Sequence, residues 1–176
     1  MALDFTVVGK TGQKVQRKML ATYVNVNTEA TGADDYEWEL QGLGIEESAI
    51  EYNPEVSTVH DITGVVDTSV ENTAPVQSFD PNAIRCGKKL AAILADIERR
   101  NAYAEYSGFA VMVVHGYLQN NEAALPAEIH SGCTIEVTSV GGSSYVEMPF
   151  NIHFSNKKTL GTVAAIVADP TFVAKA

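Results

Sequence analysis

The side chains best suited to chemistry are few and scattered. Val7-Val8-Gly9-Lys10-Thr11-Gly12 looks like the close of a phosphate-binding loop, in which glycine-rich backbone cradles phosphates ahead of a helix. The leading glycine of such a loop would fall at position 4, which is Asp4, and no helical pattern follows. The stretch reads as a turn between strands. Glu128, His130 and Cys133 are acceptable zinc ligands, yet no second pair at metal-site spacing accompanies them, and the reading is no metal and no cofactor. Hydrolysis would need a nucleophile, a base and an orienting acid brought together. Ser143, Ser144, His115, His153 and Glu147 are the available parts, and no G-x-S-x-G turn marks either serine as activated. Trp38 is the only tryptophan, which argues against a stacking platform for sugars. The chain reads as a non-enzyme.

The elements that would position these residues are mostly strands. In "SSYVEMPFNIHF" (143–154), Val146, Met148, Phe150, Ile152 and Phe154 share one face, and Tyr145, Glu147, Pro149, Asn151 and His153 share the other. The first face is core, so the question is what the polar face looks at. Pro149 cannot donate to a sheet ladder and prefers an edge or a bulge. Strands are also expected at 3–8, at 20–27, at 37–41 with Trp38 and Leu40 on one side, at 133–140, and at 159–167. "CTIEVTSV" and the stretch above are joined through Gly141-Gly142, a hairpin-type connection. "FAVMVVHGYL" (109–118) is apolar on both faces, as a strand covered from both sides would be. Residues 45–78 mix β-branched residues with turn formers and read as a long hairpin or extended loop.

One helix is predicted over 80–101. Asp80 caps it, Pro81 takes the first position, Gly87 separates a first turn, and Leu90, Ile93, Leu94 and Ile97 form its apolar stripe. The fold class is therefore mainly β: a sandwich or barrel of seven to eight strands with one flanking α-helix and a long extended loop, in a single domain over 1–176.

Charge narrows the function classes. The net charge of −10 argues against tight binding to a nucleic-acid backbone, whose affinity comes from Lys and Arg displacing counterions. No Lys or Arg occurs from 19 to 84, where thirteen carboxylates lie, and none occurs from 101 to 156, where Glu105, Glu122, Glu128, Glu136 and Glu147 stand. Ahead of the acidic stretch, Lys10, Lys14, Arg17 and Lys18 make residues 1–18 a basic segment. A basic arm on one copy could meet the acidic stretch of the next, which favours a homo-oligomer with salt-dependent assembly. Cys86 and Cys133 read as buried free thiols compatible with a reducing compartment, with a bridge between them left open. No cationic-then-apolar leader and no apolar run of about 18–20 residues is present, so the expectation is a soluble chain made in the cytoplasm, with no membrane partner.

In order and phrasing, residues 37–163 resemble the major tail tube proteins of tailed bacteriophages and phage-tail-like bacteriocins. The resembling segments are "GLGIEESAIEYNPEVSTVHDITG" (42–64), "QSFDPNAI" (77–84), "KLAAILADIERRNA" (89–102), "FAVMVVHGYL" (109–118) and "AEIHSGCTIEVTSVGGSSYVEMPFNIHFSNKKTLGTV" (127–163). The resemblance implies a structural virion protein whose copies form hexameric rings, stacked into a tube through which the genome leaves. It implies as partners the chain itself, the tape-measure protein, the tail terminator and baseplate proteins, a sheath protein in contractile tails, and DNA in transit without tight binding. A conduit for DNA should be poor in cations, so the candidate lumen-facing residues are Thr134, Glu136, Thr138, Glu147, Asn151 and His153. The candidate ring-stacking residues are Lys10, Lys14, Arg17 and Lys18 with Glu46, Glu47, Glu51, Glu55 and Asp61. The alternatives are the tube of a contractile bacteriocin or of an Hcp-like secretion system, and a monomeric β-sandwich binding module.

Overall fold

The computed structural model describes residues 5–120 and 123–175, with the side chains of residues 71 and 72 left out. Leu3 and Asp4, the first two residues of the strand expected at 3–8, and Glu122 lie outside the described residues. In chain order the elements are β1 (Thr6–Val7), β2 (Leu20–Asn25), β3 (Trp38–Leu40), β4 (Ile50–Glu51), β5 (Pro54–His60), β6 (Val66–Thr73), β7 (Val76–Phe79), α1 (Lys89–Arg100), β8 (Ser107–His115), β9 (Leu118–Gln119), β10 (Leu125–Val137), β11 (Phe150–His153), β12 (Lys158–Val163) and β13 (Phe172–Ala174). The chain is mainly β, with one α-helix and a curled antiparallel sheet.

The sheet is organised around β10. One edge of β10 pairs with β8, which pairs with β2 and then β3. The other edge is shared: β12 occupies Leu125–His130 and β11 occupies Thr134–Val137. From β11 the order continues through β7 to β4, and from β12 to β13. The two arms curl toward each other, and a buried bond from Thr22 Oγ1 on β2 to Gln77 Oε1 on β7, at 2.9 Å, ties them.

Two glycines set which residues face inward. In the β8–β10 ladder Ser131 sits opposite Ala110, Cys133 opposite Phe109 and Thr134 opposite Ser107, so Gly132 and Gly108 are each an extra residue in their strand. Their φ angles are +79° and +107°, conformations a side chain disfavours. The double bulge exchanges the faces: Ala127 and Ile129 pack in one cluster before it, whereas Cys133 and Ile135 pack in the other after it. Thr134 and Glu136 are thereby turned away from the second half of the core. A Cβ on Gly132 would meet no atom, so Gly132→Ala bears backbone strain alone. It should lower stability by about 1–2 kcal/mol in urea unfolding. An unchanged midpoint would mean that the bulge accepts a side chain.

The apolar run of β8 is covered on both sides, as its composition anticipates. Val111 and Val113 join the cluster holding Val24, Phe79, Phe150, Ile152 and the helix residues Leu90, Leu94 and Ile97. Ala110, Met112 and Val114 join a second cluster with Tyr23, Trp38 and Val163. Partly buried Ile166 and Phe172 pack against this second cluster, and the Tyr23 hydroxyl donates to Val167 O at 2.7 Å.

Several expectations need correction. The helix begins at Lys89, not at Asp80, because residues 82–84 run alongside 146–148: Ile84 N donates to Val146 O and Met148 N to Asn82 O. Its apolar stripe is otherwise as read, and Asn101, at φ 53°, ends it. The last long strand stops at Val163, and a further strand, β13, follows at 172–174. Regular pairing of the alternating stretch covers only 150–153, and Val146 is exposed although Met148, Phe150, Ile152 and Phe154 are buried. Pro149, with no N–H, instead accepts at its carbonyl from both N–H and Oγ1 of Thr138. Both cysteines are free, but only Cys133 is buried, where desolvation pushes its thiol up to about 11. Cys86 is exposed in the non-helical segment before α1.

Candidate functional site

Four of the six candidate lumen residues meet on one exposed sheet face. Thr134 lies opposite His153 and Glu136 opposite Asn151, so alternation on two paired strands brings all four side chains to the same side. Glu136 Oε2 accepts from Asn151 Nδ2 at 3.1 Å and contacts His153 Nε2 at 2.9 Å. His153 first and Asn151 second hold the Glu136 carboxyl below the usual carboxylate range. The face extends onto β8 through Ser107 Oγ, 3.1 Å from Thr134 Oγ1. Sequence reading missed Ser107, because the bulge at Gly108 reverses its apparent phase.

The other two lumen candidates stand differently. Thr138 is exposed just past the end of β10 and turned to Pro149. Glu147 sits half-buried in the connecting loop, bridged to Gly141 and Ala83, apart from the hydrogen-bonded group. The histidine partner is therefore Glu136 and not Glu147. Because both Glu136 and His153 are about half exposed, Glu136→Gln should cost less than about 1 kcal/mol in thermal or urea unfolding. A loss of several kcal/mol would assign the pair to the fold instead.

The second feature is the hairpin. β5 and β6 form a two-stranded ribbon of their own, paired from Pro54↔Thr73 to His60↔Val66 and joined to neither arm of the main sheet. At its tip Asp61 Oδ1 accepts from Thr63 N, Thr63 Oγ1 and Val65 N, which lowers the Asp61 pKa and keeps the tip anionic. Val56, Val59, Ile62, Val65, Val66 and Val70 are all exposed. An isolated two-stranded ribbon is marginal in water, and exposed apolar side chains concentrated on one mark a contact surface.

All nine candidate stacking residues are exposed. Arg17 is set apart by its bonds: its guanidinium donates to Ser48 O and Leu20 O, fastening the basic segment to residues 45–50 of the same chain. Lys10, Lys14 and Lys18 carry the remaining charge of that segment.

The chemistry-bearing motifs do not assemble into a reactive centre. Residues 8–13 form a turn, with Gln13 N donating to Lys10 O, and no α-helix follows before β2. Ser143 and Ser144 sit in an exposed bend of the 138–149 loop. Among the described residues, no group of three or more His, Cys, Asp or Glu side chains is arranged to hold a metal ion. Glu128 and His130 do meet, in a cluster the sequence did not suggest. The Glu128 carboxylate lies 2.8 Å from Lys158 Nζ, 3.2 Å from His130 Nε2 and 3.6 Å from His115 Nε2. Their only sequence trace is the i, i+2 spacing of 128 and 130; His115 and Lys158 arrive from β8 and β12 by pairing.

No known family model matches the chain, and no curated protein is significantly similar to it. No helix among the described residues is long and apolar enough to cross a membrane.

Proposed function

We propose that this chain is a structural subunit that assembles with copies of itself into a tube, as its resemblance to phage tail tube proteins implies. The observation that carries the reading is the β5–β6 hairpin, which projects valines and an isoleucine into solvent with no core of its own. Such an element is stable and soluble when another surface covers it, and the complementary charges of the basic segment and the acidic stretch make a second copy the fitting surface. A head-to-tail contact of this kind closes into rings or propagates into a filament.

On this reading the curled sheet is the tail tube fold, and the polar face of Thr134, Glu136, Asn151 and His153 lines the channel, with Thr138 and Glu147 at its margin. A wall with carboxylates, amides and hydroxyls but no Lys or Arg lets a polyanion slide without being held. The role is passage and not catalysis, and the site of action is the virion tail after synthesis in the host cytoplasm. Bacteriocin and secretion tubes share this physical logic.

Concentrated pure protein, viewed by negative-stain microscopy, should show stacked rings with a central hole, shortened as salt is raised. Single globules at every concentration and salt would overturn the proposal and favour a monomeric binding module.

A further inference from the structure

We infer that the tip of the hairpin of one copy seats in the groove beside Arg17 and Lys18 of a second copy. The inference rests on the tube reading and adds to it the receiving surface. The groove, of about 310 Å³, has walls of Leu20, Leu43, Ile45 and Ile166 and a rim carrying two cations, Arg17 and Lys18, against one carboxylate, Glu46. Leu43 is 63% exposed, an apolar side chain open to a partner.

The tip has the matching chemistry. Ile62 is fully exposed at the turn, flanked by Val59 and Val65, and the nearby charges are Asp61 and Asp67. No Lys or Arg lies anywhere on the hairpin. An apolar tip with an anionic collar fits an apolar groove whose rim is net positive.

Charge also discriminates against the other clefts. Asp34 and Asp169 line the one beside Trp38 and Phe172 and would repel the tip, and the one at the end of α1 has no Lys or Arg in its lining to attract it, its Glu105 being paired with Arg100. The cleft at Tyr52 and Thr73 lies at the hairpin's own root, and its Lys158 is already bound to Glu128. The cleft with Arg85 and Lys88 is only about 30 Å³.

The tip cannot fill its own groove. β5 is seven residues long, so at about 3.3 Å per residue the turn stands roughly 20 Å beyond the root, whereas Ser48 of the groove is bonded to Gln77 and Ser78, on the opposite side of that root. The contact is thus between different patches of two copies, which is heterologous and self-propagating.

The test pairs Ile62→Cys with Leu43→Cys in one chain carrying Cys86→Ser, oxidised with glutathione disulfide at assembling concentrations. A ladder of disulfide-linked dimers, trimers and higher species on a non-reducing gel is expected, absent from either single cysteine variant. Leu43→Asp should abolish tubes while leaving the melting curve unchanged, since the side chain is exposed. Wild-type tubes with no ladder, and Leu43→Asp tubes of normal length, would overturn the groove while leaving the tube reading intact. Failure of the wild-type chain to assemble at all would overturn both.

Discussion

A chain whose hairpin is cut back, with residues 56–70 replaced by a two-residue Asn-Gly turn, is expected to fold normally and remain a single subunit at concentrations where the full chain is proposed to form tubes. The physical reason is that the ribbon contributes nothing to either apolar cluster, so its outer part is absent from the packed core. Surface changes away from buried features shift stability by no more than about 0.5 kcal/mol. Removing six exposed apolar side chains, by contrast, removes the whole proposed contact. Sedimentation velocity and urea unfolding on the same preparation separate the two. Loss of the urea transition would mean that the hairpin is needed for folding, and unimpaired assembly would mean that it is not the contact.

Glu128→Gln is expected to lower stability markedly although it changes no side-chain volume. Burial raises the carboxyl's pKa, but bonds from His115, His130 and Lys158 together outweigh it and hold the carboxyl far below the carboxylate range. Neutralising it leaves Lys158 without its counter-charge in a half-enclosed site, and an amide has one acceptor oxygen where the carboxylate has two, so His130 keeps its acceptor only if Lys158 faces an N–H donor. Breaking one partner of a buried pair costs about 3–5 kcal/mol, and the lower end applies because Lys158 is 40% exposed and can turn to water.

The same carboxylate fixes the sign of an acid response. Its folded pKa is depressed, so its contribution is fully present above the unfolded value, near 4.5, and is lost as pH falls toward the folded value. Wild-type stability should therefore decline below about pH 4.5, and the decline should be shallower in Glu128→Gln. Parallel pH profiles of the urea midpoint would contradict this account of the cluster.

How much of this was legible beforehand depended on whether the information was local. The two-faced apolar run of β8, the alternation within β11 and the apolar spacing from Leu90 to Ile97 are properties of one segment and survive into the fold. So does the grouping of Thr134 and Glu136 with Asn151 and His153, because two alternating strands joined by a short connection must pair. The rest is set by distant partners. Residues 81–88 carry an acceptable helix start, but the backbone groups of Asn82 and Ile84 are taken by Met148 and Val146. Glu147 has the right phase, yet Pro149 interrupts the strand between it and His153. Arg17 looks like one more free cation until Ser48 is placed beside it. The Glu128 cluster draws on three strands, and no single stretch contains it.

The most direct measurement is a cryo-electron microscopy map of the assembled protein at side-chain detail. The expected map shows Glu136 and His153 on the inner wall of a tube and each hairpin buried against another copy. A map with that face on the outer surface, or with the hairpins standing free in solvent, would contradict the account.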